Sequence, residues 1–227
     1  MFSYNFMVAH NKISNFNSSI EKLNKLGFSP KVIFDIGSYE GDSVSSFFRT
    51  WPDSKIVSFE IIPEKVDVLR RKFEKNNFIL RNQIVSNCIE KEVELFLDEN
   101  ASSIHDSNDG RIKPSINLEQ TTIDAVINEI KFTPNLLHID TVTNELEILL
   151  GAFNNLKKIE VVIVQVNMIE VYNVKLNIPE IFSLLEENGL VLFDILEIHR
   201  RPKDDIMWNM DLIFVQKNSK WRIDKSW

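Results

Sequence analysis

Cysteine is almost absent from this chain, whose 227 residues include only Cys88. One thiol can form neither an intrachain disulfide nor the cysteine cluster of a structural zinc site. Because chains without disulfides are typical of reducing compartments, we expect a cytoplasmic protein. The first residues lack the basic and apolar segments of a secretory signal, and no apolar run approaches the roughly 18 residues of a membrane span, so neither is predicted.

Positive charge is in deficit, with 26 Lys and Arg residues against 33 Asp and Glu residues and a net charge of −7. Non-specific binding to nucleic acid needs a positive field, so nucleic acid is not the expected partner. The four histidines, at positions 10, 105, 138 and 199, have no metal-ligand spacing, and no metal site is predicted. The hydrophobic share of 44% is typical of a packed globular protein, and the length favours one large domain.

Glycine is also scarce, at 6 residues or about 3% of the chain, where about 7% is usual. Gly27 and Gly189 follow amphipathic segments and are predicted to end helices. Gly37 and Gly41 stand four residues apart, directly after an apolar run. A scarce residue that occurs twice in one short segment indicates a backbone requirement there.

Hydrophobic periodicity predicts strands that alternate with helices. The predicted strands cover residues 31–35, 55–60, 79–86, 93–97, 136–140, 160–166, 190–198 and 210–216, and the helices cover 20–26, 42–49, 64–75, 122–130, 145–153 and 179–188. This alternation predicts an α/β fold with a mainly parallel sheet, covered on both faces and closed by an antiparallel pair. The polar segment 98–117 is interpreted as a loop near the functional site. We divide the chain into an N-terminal helical segment (1–29), a main domain (30–217) and a loose tail (218–227).

Residues 35–41, with the sequence DIGSYEG, join the first predicted strand to a helix. In open α/β sheets, ligands bind beyond the carboxyl ends of the strands, which is where this segment lies. The D-x-G-x-x-x-G spacing matches neither the phosphate loop nor the dinucleotide fingerprint, so an NAD-dependent enzyme is disfavoured. An acid and two glycines at this place suit the methionine end of S-adenosylmethionine. The alternative is an ordinary strand-to-helix turn.

Glu60 ends the second predicted strand. A carboxylate at this point can accept hydrogen bonds from both hydroxyls of a ribose, as in nucleotide-binding α/β domains. The alternative is a solvated glutamate on the surface. Together, Glu60 and the glycine-containing segment favour S-adenosylmethionine more strongly than either does alone.

Three residues are candidates for a catalytic base. Asp140 ends the middle predicted strand and is the first candidate, with an N-cap of the next helix as the alternative. His199 is the second; it lies beside Arg200 and Arg201 in the predicted connection between the last two strands, which would bind an anion or form a solvated hairpin. His138 is the third, although a lone histidine in a strand is more typical of a hydrogen-bonded core residue.

Gln165 and Asn167 end a very apolar predicted strand, and Tyr172 follows them. Buried amides need hydrogen-bond partners. A substrate in the cleft or an internal network of hydrogen bonds would supply these partners, and both interpretations stay open. We therefore treat the three residues as candidates for substrate binding.

Five segments in order resemble the FkbM-type methyltransferases, a branch of the class I methyltransferases that depend on S-adenosylmethionine. The segments are VIFDIGSYEGDSV, FEIIPEKVDVLRRKFEKN, HIDTVTNELEILLGA, VVIVQVNMIEVY and MDLIFVQK. The resemblance extends from about residue 27 to residue 217. It implies a class I, Rossmann-like fold: a doubly wound, mainly parallel sheet of seven strands with an antiparallel final strand.

The resemblance also implies a cofactor site. Asp35, Gly37 and Ser38 would line the methionine end, Glu60 would hold the ribose, and Ser86 or its neighbours would lie near the adenine. The full set that the resemblance assigns to S-adenosylmethionine is Asp35, Gly37, Ser38, Tyr39, Gly41, Glu60, Ile61, Ser86 and Asp140. Members of this family commonly methylate hydroxyl oxygens, so a sugar, a glycan or a small natural product is the expected substrate. The sequence leaves the oligomeric state open, including a homodimer.

The chain departs from the family pattern on the substrate side. Val142 and Thr143 stand where the family has Glu-Gly or Gln-Gly, and Gln165 stands where it has Glu. Two expectations follow. The first is methyl transfer to oxygen with Asp140 as base; the alternative is a catalytically impaired relative that keeps the fold and acts as a binding or assembly partner.

Overall fold

A computed structural model of the protein describes residues 15–96, 115–170 and 175–223. The helices are α1 (Phe16–Lys25), α2 (Asp42–Thr50), α3 (Pro63–Lys72), α4 (Ile123–Ile130), α5 (Glu145–Leu150), α6 (Ile178–Glu187) and α7 (Lys220–Ile223). The strands are β1 (Val32–Ile36), β2 (Lys55–Phe59), β3 (Phe78–Arg81), β4 (Ile84–Val85), β5 (Glu90–Phe96), β6 (Ser115–Thr121), β7 (Leu136–Ile139), β8 (Val161–Asn167), β9 (Leu190–Arg200) and β10 (Met207–Gln216). Among the residues described, no helix has the length and apolar character needed to cross a membrane.

Seven strands form one sheet in the order β3-β2-β1-β7-β8-β10-β9, and β4, β6 and β5 form a small second sheet. All neighbours in the large sheet are parallel except β10, which is antiparallel to β8 and to β9. The prediction of a mainly parallel sheet closed by an antiparallel pair is confirmed. The order reverses between β1 and β7, and ligands bind at such a switch point in doubly wound sheets.

Side chains alternate between two apolar layers on the faces of the large sheet. One layer contains residues of α1, α2 and α3, and the other contains residues of α4, α5 and α6. On the α1–α2 face, apolar positions give way to polar ones near the carboxyl ends of the parallel strands. Four strands each carry a buried apolar residue and, two positions away on the same face, a polar one: Ile33 and Asp35, Leu136 and His138, Ile163 and Gln165, Ile213 and Asp211.

The structure corrects several predicted elements. The predicted strand 79–86 is two strands, β3 and β4, which belong to different sheets. Residues 115–117, predicted in a loop, begin β6, and residues 98–114 of that predicted loop lie outside the described residues. His199 and Arg200 lie within β9 instead of in the connection after it, because that strand continues to Arg200.

Part of the predicted loose tail is packed. Residues 220–223 form α7, where the Trp221 indole donates a hydrogen bond to the Leu26 carbonyl at 2.9 Å. The same ring contacts Phe28 edge-on, with ring centres 5.5 Å apart. These contacts join α7 to the end of α1. The division of the chain into three parts stays a prediction.

Candidate functional site

Gly37 is the point where the loops after β1 and β7 touch. Its φ is +86°, which an L side chain rarely adopts, and a Cβ atom here would lie 2.0 Å from the Asp140 carbonyl oxygen. The backbone N–H groups of Gly37 and Ser38 donate to the Phe59 carbonyl at 3.0 and 3.3 Å. The loop after β1 is therefore held between β2 and β7, and only glycine fits at its first turn.

Gly41 meets a backbone requirement of its own. It is the N-cap of α2 with a φ of +78°, and a Cβ here would lie 2.5 Å from Cε2 of Phe73 and 2.7 Å from Cδ2 of Leu69. The close packing of α2 on α3 accounts for this glycine without a ligand. Its contact with a cofactor stays a prediction.

Asp35 supports the loop from the interior of the protein. Its side chain is fully buried, and Oδ2 accepts hydrogen bonds from the hydroxyls of Ser38 (2.6 Å) and Ser43 (3.0 Å). Its Oδ1 lies 2.5 Å from Nδ1 of His138. The Ser38 hydroxyl also contacts that of Ser58. Asp35 therefore links β1 to both β7 and the start of α2.

His138 is the hydrogen-bonded core histidine that the sequence favoured. It is 4% exposed and lies edge-on to the rings of Phe16 and Phe47. Burial alone lowers the pKa of His138, but the hydrogen bond and the charge of Asp35 outweigh it, so that the pKa is raised above its ordinary value. Nδ1 of His138 is thus engaged by Asp35 beneath the cleft, an arrangement that does not suit a free base.

Glu60 is buried at 4% exposure, so the interpretation as a solvated surface residue is wrong. Its Oε1 accepts from the N–H groups of Ile61 (2.7 Å) and Ile62 (2.8 Å), and its Oε2 accepts from that of Tyr39 (2.6 Å). Burial raises the pKa of Glu60, while the three backbone donors oppose the shift. Because a carboxylate accepts about four hydrogen bonds, acceptor capacity remains on Oε2.

A first cleft opens beyond β1, β2 and β7. Its free space is about 520 Å³, counting space open to solvent. It is mostly apolar, and its lining residues include Gly37, Ile61, Gln83, Leu95 and Thr141. The sequence pattern did not single out Gln83, which follows β3 in the short connection to β4; a polar residue placed between two apolar strands is the signal that would have found it.

Of the nine residues that the resemblance assigns to the cofactor, only Gly37 and Ile61 are among those that line this cleft. Ser86 is buried, its N–H donates to the Thr121 carbonyl, and its neighbours Ile84 and Val85 line the cleft instead. The Tyr39 side chain is exposed, and the Lys65 ammonium lies 4.0 Å from the centre of its ring. Tyr39 contributes its backbone N–H, through the hydrogen bond to Glu60.

A second cavity lies on the α1–α2 face of the sheet, with about 610 Å³ of free space including open solvent. It brings together all three candidates for a base with one of the candidates for substrate binding. The lining residues are Phe16, Asn17, Asp42, Ser43, Ser46, His138, Asp140, Gln165, Glu197, His199 and Asp211. Val142 and Thr143 do not fill this cavity, because they line the first cleft.

Asp140 directly follows β7 and lines the second cavity, and the next residue, Thr141, lines the first cleft. The residue is exposed at the cavity mouth, yet the surrounding protein desolvates its carboxyl group and raises the pKa to about 6. The charge of His138 opposes the shift, and those of Asp211 and Asp35 add to it. The N-cap of α5 is Asn144, so the interpretation of Asp140 as that cap is wrong.

The amides at the end of β8 have internal partners. Gln165 accepts from Nδ2 of Asn209 at 3.0 Å and donates to Asp211 at 3.4 Å, while it also faces the second cavity. Asn167 donates to the Val142 carbonyl. The internal network is therefore present, and contact with a substrate stays a prediction. Tyr172 lies outside the described residues.

Glu145 is a buried acid next to this site. It is 3% exposed at the start of α5, and its Oε1 accepts from the Thr141 hydroxyl at 2.9 Å. Burial raises its pKa to about 7; its own backbone N–H and Thr141 oppose the shift, and the charges of Glu147 and Asp140 add to it. Nothing in the sequence indicated that Glu145 is buried.

We expect Glu145→Gln to remove a pH dependence of stability. The folded pKa lies above the unfolded one, so between about pH 4.5 and pH 7 the unfolded chain loses a proton that the folded chain keeps. The free energy of unfolding should fall by about 3 kcal/mol over that interval in the native chain and stay flatter in the variant. Urea unfolding at several pH values measures both. Glu186→Gln, at an exposed position, is the control and should behave as the native chain does. The same fall in the native chain and in Glu145→Gln would contradict the role of Glu145.

A family model described as the methyltransferase FkbM domain matches residues 35–192, more than half of the chain. The matched segment begins at Asp35 and includes the loop after β1, Glu60, the first cleft and Asp140. Glu197, His199 and Asp211 lie beyond it. No curated protein matches the sequence.

Solved structures of three methyltransferases share the fold. A putative RNA methyltransferase from Pyrococcus horikoshii has a TM-score of 0.51 at 15% identity, over 88% of this chain and 82% of its own. Magnesium protoporphyrin IX methyltransferase from Synechocystis PCC 6803, with S-adenosylmethionine bound, has a TM-score of 0.51 at 11% identity, over 88% of this chain and 77% of its own. The N-methyltransferase NodS from Bradyrhizobium japonicum, with S-adenosylhomocysteine bound, has a TM-score of 0.50 at 8% identity, over 88% of this chain and 85% of its own. At these identities the likeness shows the fold alone.

Proposed function

The chain belongs to the FkbM methyltransferase family and is an S-adenosylmethionine-dependent enzyme, and from that premise we propose that it methylates a hydroxyl oxygen of a sugar, a glycan or a small natural product. The observation that carries the proposal is that Asp140 lines a cavity rich in polar side chains while the next residue, Thr141, lines a mostly apolar cleft. The cleft suits the cofactor, the cavity suits a polar acceptor, and adjacent residues of one loop face the two spaces.

The residues of the first cleft fit the cofactor. The apolar side chains of Ile61, Ile84 and Val85 offer a surface for a flat base, and the Gln83 amide offers both a donor and an acceptor. Glu60 keeps acceptor capacity for a ribose hydroxyl after its three backbone bonds. When bound, S-adenosylmethionine supplies a methyl group on a sulfonium, which needs little further activation.

Asp140 is the proposed base. A hydroxyl oxygen attacks poorly unless its proton is removed as the new bond forms. A carboxyl group with a pKa of about 6 is mostly ionised at neutral pH and is still more basic than an ordinary aspartate. His138, paired with Asp35 beneath it, contributes positive charge that favours the ionised form.

Methyl transfer tests this function directly. The full chain is incubated with S-adenosylmethionine carrying a deuterated methyl group and with sugars, polyols and phenols, each beside its amino counterpart. We expect the label on hydroxyl oxygens, located by mass spectrometry and NMR. Glu60→Gln is the control that should lose transfer, because an amide cannot accept three N–H bonds and a ribose hydroxyl. Label found only on nitrogen would refute transfer to oxygen; cofactor binding without any transfer would favour a binding or assembly role.

A further inference from the structure

Three side chains of ligand type meet on one wall of the second cavity. Glu197 and His199 belong to β9 and Asp211 belongs to β10. In the antiparallel register Glu197 is directly opposite Asp211, and His199 is opposite Asn209. One carboxylate oxygen from each acid and one ring nitrogen of His199 lie within 4.8 Å of one another. The sequence spacing hides this group, because its members come from two strands joined by a turn.

Asp211 is buried without a hydrogen bond of ordinary length among the described residues. It is 8% exposed, and its two oxygens have contacts only at 3.4 Å, one with Nε2 of Gln165 and one with Nε2 of His199. Ordinary N–H···O bonds are about 2.7–3.2 Å long. Nearby on β10, the Asn209 Oδ1 is buried and has no partner among the described residues. A carboxylate that faces a cavity with such weak partners is a site for a further ligand.

The charge of the cavity selects the kind of ligand. Four carboxylates line it, and the described lining includes no lysine or arginine. Asp42 is paired with Lys72 at 3.6 Å, whereas Asp140, Glu197 and Asp211 have no ion pair with a lysine or arginine among the described residues. Arg49 donates to Asn17 and Ser46 of the lining, and the two arginines after His199 are engaged outside the cavity, Arg200 with the Asp205 carbonyl and Arg201 with Asp204. An excess of carboxylates at a partly buried site favours a bound cation.

We propose that Glu197, His199 and Asp211 bind one divalent transition-metal cation at the wall of the second cavity. Two carboxylates with an imidazole suit Mn²⁺, Fe²⁺ or Zn²⁺ better than Mg²⁺ or Ca²⁺, which prefer oxygen ligands alone. With bonds of about 2.1 Å such an ion holds neighbouring ligand atoms about 3 Å apart, so a small closure of the three side chains suffices. Three protein ligands leave positions open toward the cavity. If the proposed methyl transfer holds, an acceptor with two adjacent oxygens would occupy them.

Mn²⁺ alone is the probe for this site. The full chain, freed of metal with a chelator, is titrated with MnCl₂ while electron paramagnetic resonance measures free Mn²⁺ and calorimetry measures stoichiometry. We expect one ion per chain, and affinity at least about tenfold lower in Asp211→Asn and in His199→Ala. Asp205→Asn, which removes one carboxylate from the same β9–β10 connection, should bind as the native chain does.

Either of two outcomes would overturn the site: no saturable binding by the native chain, or undiminished binding by His199→Ala. Circular dichroism checks that each variant is folded. If Asp211→Asn is unfolded, His199→Ala decides, because His199 is half-exposed and its removal leaves both carboxylates in place. The titration contains neither cofactor nor acceptor, so its result is independent of the proposed methyl transfer.

Discussion

Gly37→Ala is expected to cost at least about 3 kcal/mol of stability and to abolish binding of S-adenosylhomocysteine. The methyl group would lie 2.0 Å from the Asp140 carbonyl oxygen, which is backbone and cannot swing aside, and it would also occupy a φ of +86°. Either the loops after β1 and β7 separate or the fold fails. Urea unfolding measures the first quantity, and calorimetry on the fraction that folds measures the second.

Gly189→Ala is the matched control for Gly37. Its φ of +82° imposes the same backbone strain, but the nearest atom to a new Cβ is the flexible Gln216 side chain, at 3.1 Å. We expect a cost of about 1–2 kcal/mol from the left-handed conformation alone and unchanged binding. Equal losses in the two variants would show that the contact between Gly37 and Asp140 has no special importance.

Asp140→Asn is expected to lower kcat by about 10²–10⁴-fold while binding of S-adenosylhomocysteine is kept. Asparagine preserves the shape of the side chain but cannot take a proton. In the native enzyme, kcat/KM should fall about tenfold per pH unit below the pKa of about 6, because protonation of Asp140 removes the base. That acidic limb should vanish in the variant. Steady-state rates from pH 5 to pH 8 measure both effects.

Asp42→Asn separates the role of a base from that of general negative charge. Asp42 lines the same cavity at the start of α2, and its side chain is almost fully exposed. The substitution removes the same charge without touching the loop after β7, so kcat should change little. A loss as large as that of Asp140→Asn, or an acidic limb that persists in the latter, would remove Asp140 from the mechanism.

Much of the fold could be predicted because its signals are local. Periodic apolar residues marked the main helices and the parallel strands, and the positions of Asp35, Glu60 and Asp140 at strand ends followed from their order. The sequence did not show why particular residues are required at these positions. Gly41 is required because a Cβ atom there would clash with Leu69 of α3 and with Phe73 at the end of that helix. No spacing in the sequence reveals this contact.

The second cavity could not be predicted, because its wall depends on the register between two neighbouring strands. The strand β9 continues to Arg200, and register irregularities interrupt its pairing with β10. Such irregularities change which residues are opposite each other, and hydrophobic alternation does not reveal where they fall. His199 was therefore assigned to a connection, and Glu197 and Asp211 were not recognised as its neighbours. The strand β6 was missed for a simpler reason: its sequence, SINLEQT, is largely polar.

The contact between Trp221 and Leu26 connects the last described helix, through α1, to the wall of the second cavity. The far end of α1 carries Phe16 and Asn17, which form part of the wall of the second cavity, and α1 is held at its other end by α7. Between these ends, Lys22 is paired with Asp194 of β9 at 2.6 Å. Segments that are remote in the chain thus set the placement of one short helix. We therefore expect sequence change near residue 221 to alter the shape of the second cavity without altering any residue that lines it.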